Sequence, residues 1–192
     1  AMVEGFQGVG SDLFKEDKVA ATGKHFIGEG QTKDGINQGD IELSQEEFDQ
    51  LLVSDGLLKP YEEAIKAGAK IVMVSYHSVN GLKCHGNYHL VTEILKGEKT
   101  EANPLGLGFT GFVVSDYNGI HQLPGNYTKQ VADSINAGID MFMEPTDCVK
   151  FIDAVVENYK NGEISIERID DAVRRILRVK FEMGLFEEER RK

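Results

Sequence analysis

Short apolar runs alternate with longer amphipathic segments along this chain, and the alternation predicts strand and helix in turn. Strand character falls at VAATGKHFI (19–27), IVMVSY (71–76), GFVV (111–114) and IDMFM (139–143). The segments AIKAGAKIVMVSY (64–76) and SINAGIDMFMEP (134–145) repeat one order: the end of a helix, Ala-Gly, two residues, then a strand with Met at the same offset. Gly68 and Gly138 are placed to end those helices in the left-handed conformation. Ser44-Gln45-Glu46-Glu47 has capping-box spacing, and Phe48, Leu51 and Leu52 begin an apolar face. That helix is expected to run toward Ala67, broken or kinked at Gly56 and Pro60. Further helices are expected over 126–137 and 151–159. The last follows Ser165, with Ile166, Ile169, Val173, Ile176 and Leu177 at helical spacing and Gly184 closing it.

Strands that alternate with helices imply a parallel sheet with right-handed crossovers. Four such units make half of an eight-stranded (β/α)8 TIM barrel, which takes about 250 residues. The chain opens inside what looks like a helix, MVEGFQG, so the N-terminal half of such a barrel is expected to be missing. A self-contained four-stranded open sheet is the alternative. Residues 1–186 read as the half-barrel, and 187–192 as a charged tail or the start of an interdomain linker.

Composition changes this picture little: 41% hydrophobic and 28% charged residues fit an ordinary globular core. Charge is more informative. A net charge of -11 argues against a nucleic-acid backbone or an anionic membrane surface as partner. No apolar stretch approaches the about 20 residues of a membrane span. Cys84 and Cys148 lie outside any CxxC pattern and read as reduced thiols. His77, His85, His89 and His121 read as surface groups or as supports behind a site; no metal or cofactor is expected.

Candidate chemistry gathers where the predicted strands end. Lys24 and His25 close the first, Ser75, Tyr76 and His77 the second, Ser115, Asp116 and Tyr117 the third, and Glu144 the fourth. In parallel α/β folds that edge is where ligands bind. Asp116 ends an apolar run that does not need it, although an acid there can also cap a helix or form a turn. Acid, amide, ammonium, imidazole and phenol groups among Gly-rich loops suit a ligand with many hydroxyls. The stretch 27–43 is long for a loop of such a unit, which favours a functional role.

KHFIGEG (24–30), VMVSYHSVNG (72–81) and VVSDYNG (113–119) together resemble the barrel domain of glycoside hydrolase family 3, the β-glucosidases and glucan exohydrolases. Order and spacing agree from Val3 to Phe186, and RILRVKFEMGLF (175–186) resembles the segment that leaves that barrel. The resemblance implies that the four strands are the fifth to eighth of the barrel. It implies a retaining, exo-acting β-glucosidase with Asp116 as nucleophile, Lys24 and His25 binding sugar hydroxyls, and Met73 and Tyr76 lining the same pocket. Tyr117 replaces the family's commoner Trp. Lys24 or a Tyr hydroxyl could hold the carboxylate ionised.

The acid/base Glu is implied to lie in a second, α/β sandwich domain. Glu29 stands where the family's glucosaminidase branch carries a His in that role. The implied partners are a β-glucoside or β-glucan oligosaccharide, the missing half-barrel and the sandwich domain. The alternative is a catalytically incomplete half-barrel that acts as an assembly unit, including a homo-oligomer, or as a weak sugar-binding module. Family members are often secreted or periplasmic, and cytoplasmic ones are expected too.

Overall fold

Three parallel strands carry the architecture in the computed structural model, which describes residues 1–188. The strands in chain order are β1 (Thr22–Phe26), β2 (Asp40–Ile41), β3 (Ile71–Val74), β4 (Ser78–Val79), β5 (Leu82–Lys83) and β6 (Phe112–Val114). The α-helices are α1 (Met2–Gln7), α2 (Gln45–Ser54), α3 (Lys59–Lys66), α4 (Tyr127–Ala137), α5 (Cys148–Lys160) and α6 (Ile166–Glu182). A π-helix spans His89–Lys96 between β5 and β6. The main sheet has the order β1-β3-β6, all parallel. Among the described residues this sheet does not close, so the chain is an α/β partial barrel. The tail expected from 187 onward falls largely on residues 189–192, outside those described.

Two faces of the sheet have different cover, as period-two alternation requires. Val72, Val74 and Val113 join Phe48 and Leu52 of α2 and Leu90, Ile94 and Leu95 of the π-helix in the main core. On the opposite face Phe112 and Val114 cluster with Val179 of α6, and Ile71, Met73 and Met141 pack against them. The last helix therefore meets the face opposite α2 and the π-helix.

The fourth expected strand shrinks to a single parallel bridge, Val114 to Met141. Asp140 is the reason. Its side chain, fully buried, accepts the Val113 N–H at 2.8 Å, a ladder position that a neighbouring carbonyl would otherwise take. Lys96 at 2.8 Å and Arg168 neutralise that carboxylate and tie the π-helix and α6 to the sheet. Burial drives the Lys96 pKa down to about 8. Arg175 adds two hydrogen bonds of 3.0 Å, to the carbonyls of Phe109 and Gly111 below β6.

Helix ends follow the side-chain chemistry. Ser44 accepts from the Glu47 N–H at 3.3 Å while Glu47 accepts from the Ser44 N–H at 2.8 Å, closing the capping box. Pro60 does not kink a continuous helix. It sits in the first turn of a separate one, α3, where its missing N–H costs nothing. Gly138 ends α4 at φ 115°, and a Cβ there would lie 2.4 Å from Thr92 Oγ1.

The long stretch after β1 is structured. It holds two short 3-10 turns and then β2, which joins β4 and β5 in a small second sheet. β4 and β5 form a hairpin through Asn80 (φ 49°) and Gly81 (φ 78°), the two left-handed residues that a tight hairpin turn needs.

Candidate active site

Asp116 lies two residues beyond β6, and the main chain around it is fixed on every side. Its N–H donates to His85 Nε2 at 3.0 Å, and its carbonyl accepts from the Gly119 N–H at 3.0 Å. The Tyr117 N–H donates to the Asp116 carboxylate at 2.7 Å. Tyr76, two residues past β3, donates its hydroxyl to the Tyr117 carbonyl. The Asn118 N–H reaches the Met143 carbonyl at 3.0 Å, which anchors the turn to the end of the fourth segment.

His85 carries more than its setting in the sequence suggests. Of the two readings, surface group or support behind a site, the structure shows the second: the ring is buried, and burial pushes its pKa down to about 4. Because Nε2 accepts the Asp116 N–H, the ring is neutral and carries its hydrogen on Nδ1. Gly119 leaves the room for it: a Cβ at that position would stand 2.2 Å from Nε2. His77 is buried too, with Nδ1 2.8 Å from Ser75 Oγ and Nε2 3.3 Å from Cys84 Sγ, and its pKa is driven down to about 4 by the same cause. The Cys84 thiol is pushed up to about 12 by burial, which leaves it unreactive.

The expected site residues separate into those that meet Asp116 and those that do not. His25, at the end of β1, brings Nε2 to 3.5 Å from Asp116 Oδ2 and Nδ1 to 2.8 Å from Glu29 Oε2. Burial, followed by the charge of Asp116, raises the Tyr76 phenol above its usual pKa. Met73 sits opposite Val114 in the sheet register, on the face that α6 packs against. Tyr117 leaves its ring exposed at the rim. Lys24 forms no ion pair with Asp116 among the described residues; the groups that face the carboxylate are His25 and the hydroxyl of Tyr76, the second of the two supports the sequence offers.

Outer parts of the rim are tied together. Lys83 donates to the carbonyls of Gln38 and Tyr76, each at 3.0 Å, and so holds the long loop against the strand end. Gln38 reaches across to Gln122 at 3.0 Å. Glu144 accepts from His121 at 2.8 Å and from Tyr127 at 2.9 Å, which clamps the turn after Asp116 to the start of α4. Among the described residues no three His, Cys, Asp or Glu side chains are grouped to hold a metal ion.

A buried carboxylate at the C-terminal end of a parallel strand, open on one side to an imidazole and a phenol, can act on an electrophilic carbon or accept a proton. Comparison with known proteins narrows that chemistry. Residues 1–179 match the family model described as the glycosyl hydrolase family 3 N terminal domain. The chain is 33% identical over 199 residues to a protein of Formosa agariphila named beta-xylosidase, covering 97% of this chain and 26% of that one. It is 31% identical to the lysosomal beta glucosidase of Dictyostelium discoideum, covering 97% of this chain and 22% of the relative.

Among solved structures, the Q683A mutant of the exo-1,3/1,4-beta-glucanase ExoP from a Pseudoalteromonas species superposes with a TM-score of 0.84 at 40% identity. That match covers 96% of this chain and 28% of that one. A beta-glucosidase from Listeria innocua in complex with glucose gives a TM-score of 0.81 at 30% identity, covering 99% and 25%. The chain thus spans about a quarter of the length of the proteins it matches.

Proposed function

The chain belongs to glycosyl hydrolase family 3, and from that membership we propose that it supplies the nucleophile half of a retaining, exo-acting β-glucosidase. One observation carries the reading. Asp116 stands just beyond the C-terminal end of the parallel strand β6, with its main chain pinned by His85 and Gly119 and its carboxylate held by the Tyr117 N–H and turned toward His25. A nucleophile needs such fixed geometry, because small misplacements of a reacting atom are costly.

In the proposed reaction an Asp116 oxygen attacks the anomeric carbon of a terminal β-D-glucosyl residue. The bond from that carbon to the leaving oxygen breaks, and the leaving oxygen takes a proton from an acid outside these residues. A covalent glycosyl-enzyme results. Water then gives its proton to the same group, now a base, and its oxygen displaces Asp116 from the sugar. His25 and Lys24 bind sugar hydroxyls, Met73 and Tyr76 shape the pocket, and Tyr117 provides an aromatic face for a second sugar. Residues 1–186 form the C-terminal half of the barrel in this reading. The other half-barrel and an α/β sandwich domain complete the site.

The need for completion has physical support. Val149, Ile152 and Val156 on α5, and Val173, Leu177 and Phe181 on α6, leave rows of exposed apolar surface, and among the described residues β1 has an open edge. The same observation favours a second reading, in which the chain is an assembly unit that covers these surfaces by pairing.

Assay on aryl β-glucosides and aryl β-xylosides, with the chain alone and with the remainder of the family domains supplied separately, tests both readings. Turnover of the glucoside only in the supplemented sample, abolished by Asp116→Ala, is the expected result. Turnover that survives Asp116→Ala contradicts the nucleophile assignment, and preference for the xyloside corrects the substrate. A stable dimer of the lone chain supports the assembly reading.

A further inference from the structure

Glu29 stands behind His25 on the side away from Asp116. Its carboxylate lies 2.8 Å from His25 Nδ1, while the opposite ring nitrogen faces Asp116 at 3.5 Å. All three side chains are at least two-thirds shielded from solvent: 33% of Glu29, 23% of His25 and 13% of Asp116 remain accessible. An imidazole can donate from either ring nitrogen, and which one it uses is set by the partner at the other. A carboxylate at Nδ1 therefore decides both the ring's orientation and what it presents to Asp116.

The backbone is shaped to put Glu29 there. Gly28 adopts φ 93° and starts the short 3-10 turn Glu29–Gln31, and a Cβ on it would come 2.6 Å from the Phe48 ring. Only a glycine lets the chain turn this tightly against α2, and the turn carries Glu29 back over His25, four residues earlier. Glu29 is also badly placed to be the proton donor of a retaining pair. Such carboxyls stand about 5 to 5.5 Å apart, whereas two polar contacts and the width of the ring separate Glu29 from Asp116.

We propose that Glu29 is a positioning residue for the hydrolysis, acting on Asp116 and the bound sugar only through His25. This rests on the reading of Asp116 as nucleophile. The carboxylate of Glu29 holds the imidazole edge-on to Asp116, so that Nε2 meets the hydroxyl-bearing face of the substrate in one orientation.

A double-mutant cycle in the complete enzyme, with kcat and KM measured on an aryl β-glucoside, tests it. Glu29→Ala is expected to lower kcat/KM by roughly 10- to 100-fold, as losing the carboxylate behind an oriented imidazole does elsewhere. In a His25→Ala background the same change is expected to cost less than about threefold, since independent sites would add and coupled ones do not. Glu29→Gln, which keeps an acceptor for Nδ1, is expected to recover part of the loss. An equal loss with and without His25 overturns the proposal.

A second measurement does not depend on turnover. Side-chain NMR of the chain is expected to show an exchange-protected His25 Nδ1 proton that disappears in Glu29→Ala, and an unchanged spectrum overturns the proposal. Full activity in Asp116→Ala would instead sink the nucleophile reading, while the NMR result still reports whether Glu29 orients His25.

Discussion

The N–H of Asp116 donates to Nε2 of His85 at 3.0 Å, so a buried neutral imidazole holds the main chain of the candidate nucleophile. The folded ring has its pKa lowered from 6.5 to about 4, and His77 shares that shift and its cause. Between those two pH values the unfolded chain binds protons that the folded chain refuses, so stability rises with pH across this window. Acid from about 6.5 to about 4 is therefore expected to weaken the fold by on the order of 3 kcal/mol per ring. Urea unfolding at a series of pH values measures the slope, and His85→Asn is expected to flatten it. A slope unchanged by that substitution would show that the ring is not buried neutral.

Gly119 and His85 cannot both keep their places if a methyl group is added. With a Cβ 2.2 Å from Nε2, Gly119→Ala is expected to cost about 1 to 3 kcal/mol. Gly30 has no atom within 4 Å of its would-be Cβ, so Gly30→Ala is expected to stay within about 0.5 kcal/mol of the parent. Thermal unfolding of the two variants side by side decides whether crowding at His85, and not glycine loss in general, sets the effect.

Asp140 fastens three elements with one carboxylate, accepting from the Val113 N–H, Lys96 and Arg168. Asp140→Ala leaves Lys96 and Arg168, in or near the core, with only the half-exposed carboxylate of Asp171 beside them. A loss of about 3 to 5 kcal/mol is expected, the usual effect of breaking a buried ion pair from one side. Denaturant titration checks it, and a loss below about 1 kcal/mol would mean that the cluster is not a keystone of the packing.

Local patterns made much of this fold legible. The capping box at Ser44, the glycine stops at 68 and 138 and the apolar runs of β3 and β6 all depend on near neighbours, and each stands where the sequence places it. The Asn80-Gly81 pair is an equally local signal for the β4-β5 hairpin, but it lies inside a stretch that also reads as part of a rim. The π-helix His89–Lys96 escapes the periodic reading, although Leu90, Val91, Ile94 and Leu95 give it an apolar face.

Other features arise only in three dimensions. Asp140 interrupts the fourth strand by a side-chain bond to a residue 27 positions away, and His85 meets Asp116 across 31. The sequence leaves His85 open as a surface group or a support behind a site, and nothing around Cys84-His85-Gly86 names Asp116 as its partner. The apolar residues of α5 and α6 have helical spacing whether a neighbour covers them or not, so the pattern cannot say which row is left open.

Covalent trapping addresses the central claim most directly. A 2-deoxy-2-fluoro-β-glucosyl fluoride slows the second step of a retaining reaction and leaves the sugar on the nucleophile. After incubation with the complete enzyme, peptide mass spectrometry is predicted to find one fluoroglucosyl adduct, on Asp116, absent in Asp116→Ala. An adduct on Glu29 or any other carboxylate, or no adduct in a preparation that turns over the aryl glucoside, would contradict the account.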